Sequence, residues 1–188
     1  MNQNIFHHFK KFPNEKVCIV MAMQTESNQV LESSGFFIHY VGVGLVSSAM
    51  NLTALIEKYN PDRIINIGTA GSFTVPVGSV VEVQRCKQRG QVYSKLKKTI
   101  TLEKVSELQS VVCGSADFIQ SIPDSSFEIM DMECYALAYV CYRYNKTFHC
   151  FKYISDNSSE NVEMNWKNNL KSAQMQFIKI FQILNEEG

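Results

Sequence analysis

The 188-residue chain is 45% hydrophobic and 19% charged, and its formal net charge is +0. That length and balance suit one compact domain with a sizeable core and exclude a disordered chain. The neutral charge argues against nucleic acid or an anionic membrane as the main partner, since both usually leave a basic footprint. No apolar run is long enough to span a bilayer, and the opening MNQNIFHHFKKFPNEK lacks the continuous apolar core of a signal peptide. The expectation is a cytoplasmic protein forming one domain over 1–188, with 1–15 as a loosely ordered extension.

KVCIVMAM (16–23) is a short apolar run with β-branched residues and reads as a buried strand. FFIHYVGVG (36–44) reads as a second strand ending in glycines. LVSSAMNLTALIEKYN (45–60) has helical apolar spacing and stops before Pro61. RIINIGTAGS (63–72) is a strand running into a glycine-rich turn, and GSVVEVQRC (78–86) is another strand. The polar stretch 88–109 reads as a loop plus a short helix. SVVCGSADFI (110–119) is a further strand ending in small residues. Residues 131–144 read as a helix, with Asp131 as its cap or a surface residue, and FHCFKYISD (148–156) as a late strand. From Asn165 onward, Leu170, Phe177, Ile178, Phe181 and Leu184 recur at helical spacing. Strands alternating with helices predict an α/β fold: a three-layer sandwich whose mixed, largely parallel sheet is flanked by helices.

The six cysteines (18, 86, 113, 134, 141 and 150) form no CxxC pair and sit mostly in apolar segments, as buried reduced thiols do. The four histidines are scattered without ligand spacing, so no metal site is expected. In α/β sheets, ligands collect at the carboxyl ends of strands. The residues expected there are Met23 to Glu26, Gly68 to Gly71, Ser115, Asp117 and Phe118, and Ser155 with Asp156. Convergence of Glu26, Glu133 and Asp156 on one rim would make an acid/base site.

The ordered set AMQTE, GVGLVSSA, INIGTAGS, DMECYALA and ISD resembles the nucleoside phosphorylase/hydrolase superfamily. Within it, the set is most similar to the methylthioadenosine/S-adenosylhomocysteine nucleosidases. The motifs span the chain from Val17 to about Trp166. Each is weak alone, and the ordered five are specific.

The resemblance implies an enzyme that hydrolyses the N-glycosidic bond of a purine nucleoside, a 5′-thio-substituted adenosine, and releases the base. It implies a homodimer serving methionine salvage, with a small-molecule partner and no cofactor. The transition state of such a reaction is an oxocarbenium-like sugar with a departing purine. The resemblance makes Asp156, oriented by Ser155, the acid that protonates N7 of that purine. It makes Glu26 the carboxylate that positions or deprotonates the attacking water. Glu133 then accepts hydrogen bonds from the ribose hydroxyls, and its charge favours a cationic sugar. Met132 packs on the ribose, and Phe118 and Ile119 flank the purine. Thr69, Ala70 and Gly71 form a tight turn where backbone approaches the ligand. Trp166 aligns with an aromatic of the pocket for the 5′ group.

The chain departs from the family pattern at several points. The segment between AMQTE and YVGVG is short, and so is the one after VEVQRC. Leu45 stands where a lysine is common, Ser72 replaces a glycine, and Lys152 and Tyr153 replace an arginine and a small residue before ISD. The alternatives are a phosphorylase or a futalosine-type hydrolase of the same fold, or a nucleoside-binding relative without catalysis. Phosphorolysis needs a cationic phosphate site. The loop MQTES offers a glutamate instead, which favours water as the nucleophile.

Overall fold

A computed structural model describes residues 5–90, 95–118, 122–158 and 162–186. Strand β1 (Val17–Met21) is followed by two single-turn helices, α1 (Gln24–Ser27) and α2 (Val30–Ser33), and by the short β2 (Ile38–Tyr40). Helix α3 (Leu45–Tyr59) leads to β3 (Arg63–Gly71), β4 (Val80–Gln88), β5 (Thr99–Thr101), β6 (Gln109–Ser115) and β7 (Ile129–Asp131). Helix α4 (Cys134–Arg143), β8 (Thr147–Asp156) and α5 (Val162–Asn185) complete the described elements.

The eight strands form one mixed sheet in the order β2-β1-β3-β7-β6-β4-β5, with β8 between β3 and β4. Pairing is parallel for β1–β2, β1–β3, β3–β8, β4–β6 and β6–β7, and antiparallel for β3–β7, β4–β5 and β4–β8. Strands β3, β8, β4, β6 and β7 therefore close into a ring.

The sheet is buried on both faces, which explains its unbroken apolar strands. Along β1, Cys18 and Val20 face one core, and Val17, Ile19 and Met21 face the other. In β8, Phe148, Cys150 and Ile154 alternate with Phe151 and Tyr153 in the same way. Helices α3 and α4 cover the first face through Leu52, Leu55, Ile56, Leu137 and Val140. Helix α5 covers the second through Phe177, Ile180 and Phe181. Layers of helix, sheet and helix result, as the alternating pattern predicts. All six cysteines are free and buried.

Some expectations fail. Thr69 to Gly71, expected as a tight turn, stay in β3 and pair with β8. The loop with a short helix expected over 88–109 instead contains β5, which pairs with β4 through Cys86 and Ile100. Asp131 is not a surface residue, although its carboxylate does cap the first amide of α4, from Cys134, at 2.9 Å. It ends β7 and is buried, and α4 starts only at Cys134. Residues 5–15 are packed rather than loose: Phe9 and Phe12 are buried against α5 and β1, His7 bridges to Val17, and Glu15 holds Arg63 at 2.8 Å. The apolar side chains of this segment complete the core under α5, so burial overrides its polar look.

Candidate active site

The carboxyl ends of β1, β3, β6, β7 and β8 open on one cavity of about 320 Å³. Two features of the sheet create it. The parallel register of β3 with β8 shifts between Ala70 and Gly71, which sets Gly71 beside Asp156. Gly71 is needed there, because a Cβ would lie 2.7 Å from Asp156 Oδ1. The turn between β2 and α3 carries Gly44 at φ +90°, a conformation that L side chains rarely adopt. That backbone turns the Gly44 amide toward the cavity, where it donates to Glu133 Oε1 at 3.0 Å.

Glu26, Thr69, Ala70, Gly71, Phe118, Met132, Glu133, Ser155, Asp156 and Trp166 all line this cavity. Ile119 lies outside the described residues. The folded chain thus brings ten of the eleven residues given catalytic or substrate-binding roles together from six segments; of the other residues expected at the strand ends, Met23 lines the cavity, and Gln24, Thr25, Gly68, Ser115 and Asp117 do not.

Glu26 is buried in α1. Its Oε1 accepts hydrogen bonds from the Thr69 backbone N–H (3.0 Å) and hydroxyl (2.9 Å), while Oε2 has, among the described residues, only a 3.4 Å contact from the Met23 amide. One oxygen is pinned and the other keeps acceptor capacity. Trp166 bears on the same group: its indole N–H donates to Thr69 Oγ1 at 3.0 Å. Asp156 ends β8. Its Oδ2 accepts from Ser155 Oγ at 2.8 Å and its Oδ1 from the Ser158 amide at 2.9 Å.

Glu133 sits at the start of α4. Burial and the charge of Asp131 push its carboxyl up to about 7, against the opposing pull of Lys152 and the Gly44 amide. Asp131 has the reverse balance. Burial disfavours its charge, but the Lys152 ammonium at 2.8 Å, Ser115 Oγ at 2.5 Å and the Cys134 amide at 2.9 Å outweigh it and hold the carboxyl below its usual range. Lys152 is also buried, and Asp131 keeps it protonated. Two carboxylates two residues apart therefore have opposite proton affinities, because only one has a cation.

Sequence reasoning missed Arg89, which lies at the end of β4 in the stretch read as a loop. It lines the cavity, and its guanidinium lies 4.9 Å from the centre of the half-exposed Phe118 ring. Its nitrogens donate to the carbonyls of Gly114 (3.0 Å) and Phe118 (2.9 Å). The available signal was an arginine just before Gly90, at the end of an alternating strand. Ala22, Val43, Met130, Asp131, Ser158, Val162 and Glu163 also line the cavity and were not expected there. The signal for the buried ion pair was a lysine inside the apolar run FHCFKYISD. No helix among the described residues is long and apolar enough to cross a membrane.

Comparison with known proteins fits this geometry. A family model of the phosphorylase superfamily matches residues 4–98. A Buchnera aphidicola protein named 5′-methylthioadenosine/S-adenosylhomocysteine nucleosidase is 26% identical, with 82% of each chain covered. A Shewanella piezotolerans protein of the same name is 24% identical over 97% of this chain and 96% of its own. Among solved structures, a Helicobacter pylori nucleosidase mutant with 5′-methylthioadenosine in its active site superposes with a TM-score of 0.81 at 18% identity, covering 90% of this chain and 98% of that one. The futalosine hydrolase of the same organism superposes at 0.78 with 19% identity, covering 89% and 97%. At such identities the superpositions establish the fold. With a family match over half its length, the chain belongs to the phosphorylase superfamily.

Proposed function

We propose that the protein hydrolyses the N-glycosidic bond of a purine nucleoside, with a 5′-thio-substituted adenosine as substrate, and releases the base. The observation that carries this reading is the meeting of Glu26, Glu133 and Asp156, from three separate segments, in one cavity. The curated relatives' names point to the same reaction.

The chemistry divides among the three acids. Asp156, steadied by Ser155 and the Ser158 amide, delivers a proton to N7 of the purine and so makes it a better leaving group. Glu26, pinned by Thr69 through one oxygen, binds the water with the other and takes its proton as C1′ is attacked. Glu133, held by the Gly44 amide, accepts the ribose hydroxyls and stabilises positive charge on the sugar. Phe118 stacks on the base. Met132 packs on the ribose, the Thr69–Gly71 backbone borders the substrate, and Trp166 bounds the 5′ group.

Water is favoured over phosphate because the nearby cations are committed. Lys152 is paired with Asp131, and Arg89 donates to backbone carbonyls. A phosphate would also face Glu26 and Glu133. A futalosine-type substrate is the second reading, supported by the closely similar superposition of that hydrolase. A homodimer working in the cytoplasm belongs to the same proposal, on the family resemblance alone; light scattering reads the assembly state. The test is base release from methylthioadenosine, S-adenosylhomocysteine, futalosine and inosine, with and without phosphate. Adenine release from the thio-nucleosides at a rate indifferent to phosphate is expected. Turnover that requires phosphate, or none from any nucleoside, contradicts the proposal.

A further inference from the structure

A polar cluster outside the cavity is built around the residue that follows Glu26. Helix α1 has four residues, and Asn28 and Gln29 behind it have φ of 44° and 63°. One turn, closed by backbone bonds from the Asn28 N–H to the Gln24 carbonyl (2.8 Å) and from the Glu26 N–H to the Met23 carbonyl (3.1 Å) and followed by two left-handed residues, has little stability of its own. Side chains add the rest. Ser27 is fully buried, and its Oγ lies 2.6 Å from Tyr40 Oη and 3.0 and 3.1 Å from the two Glu32 oxygens. The Tyr40 hydroxyl also donates to Glu32, and the Gln29 amide donates to Ser27 Oγ at 3.3 Å. Burial and Glu32 raise the Tyr40 phenol above its ordinary value, so it stays a protonated donor.

The cluster thus ties α1, α2 and the end of β2 together at the position next to Glu26. None of its three residues lines the cavity. On its other side, among the described residues, Glu26 is fixed only through Thr69 and the long contact from Met23. We propose that Ser27, Glu32 and Tyr40 are positioning residues that lock α1, so that Glu26 keeps one oxygen on Thr69 and presents the other to the attacking water. This rests on the reading of Glu26 as the water-activating carboxylate. A displacement well under the size of a water molecule is enough to matter, because proton transfer needs donor and acceptor within hydrogen-bond reach.

Two readouts test it. In steady-state kinetics, Tyr40→Phe and Ser27→Ala should each lower kcat about tenfold while KM stays within about twofold. Glu32→Gln, which keeps an acceptor, should lose less. In a Glu26→Gln background, Tyr40→Phe should cost nothing further, because a positioning residue has nothing left to position. The second readout does not need turnover. Trp166 is the only tryptophan, and its indole N–H is bonded to the threonine that holds Glu26. Its emission should shift in Tyr40→Phe and Ser27→Ala in the same direction as in Glu26→Gln. Wild-type kcat and emission in both variants overturn the proposal. So does an equal further loss of kcat in the Glu26→Gln background, which would mark a merely structural role. If the wild type releases no base, the nucleosidase reading fails separately, and the emission of Trp166 still decides whether the cluster positions Glu26.

Discussion

Near neutrality the Glu133 carboxyl stands at the midpoint of its titration, at about 7. Its cause is physical: it is buried beside the charge of Asp131, and the one nearby ammonium is already spent on Asp131. The sign of the consequence follows. The folded chain holds this proton more tightly than the unfolded one, so the group's contribution to stability is complete below the ordinary glutamate value near 4.5 and is lost as pH rises through about 7. Function runs the other way, because accepting ribose hydroxyls requires the carboxylate. We expect kcat/KM to rise with pH through about 7. Glu133→Gln should lower kcat/KM at least tenfold yet raise the melting midpoint at pH 8 by a few degrees. Thermal melts of both proteins from pH 5 to 8 check this. An unchanged pH slope of stability in the variant would contradict it. That Glu26 and Asp156 would line one cavity was legible in the sequence, because each closes a motif at the carboxyl end of a strand. The difference between Asp131 and Glu133 was not legible, since both open the same apolar stretch and only the fold shows which one meets Lys152.

At the scale of elements, the Asp131–Lys152 pair ties the end of β7 to the middle of β8, inside the ring of strands that frames the cavity. Asn169 of α5 adds a tie to the far end of β8, donating to the Ser155 carbonyl at 2.9 Å. Removing one partner of a buried ion pair leaves an uncompensated charge and costs about 3–5 kcal/mol, whereas replacing both is far milder. Lys152→Met should therefore destabilise the fold by that amount, and Lys152→Met with Asp131→Asn should recover most of it. Denaturant unfolding measures both; a double variant no more stable than the single would refute the assignment. Long strands were easy to read, because β1, β3 and β8 are apolar on both faces. Strands β5 and β7, with three residues each, are too short to show a period of two. They exist because neighbouring strands pair with them. Arg89 was hard to read because its hydrogen bonds to the Gly114 and Phe118 carbonyls depend on where the backbone folds, and its place before Gly90 was the one hint.

For the whole molecule, two helical layers and a partly closed sheet bring segments from residue 22 to residue 166 to one rim. The overall architecture was legible from the alternation of strands and helices. The packing of residues 5–15 was not, because three phenylalanines in a short, otherwise polar segment do not show which surface will cover them; the fold supplies it, with α5 against Phe9 and Phe12. The central claim is that this rim performs acid/base hydrolysis through Asp156 and Glu26. Its most direct test is the rate of adenine release from methylthioadenosine by the wild type, Asp156→Asn and Glu26→Gln under saturating substrate. The predicted result is an active wild type, with each variant slower by about two orders of magnitude or more. Variants that match an active wild type would contradict the account.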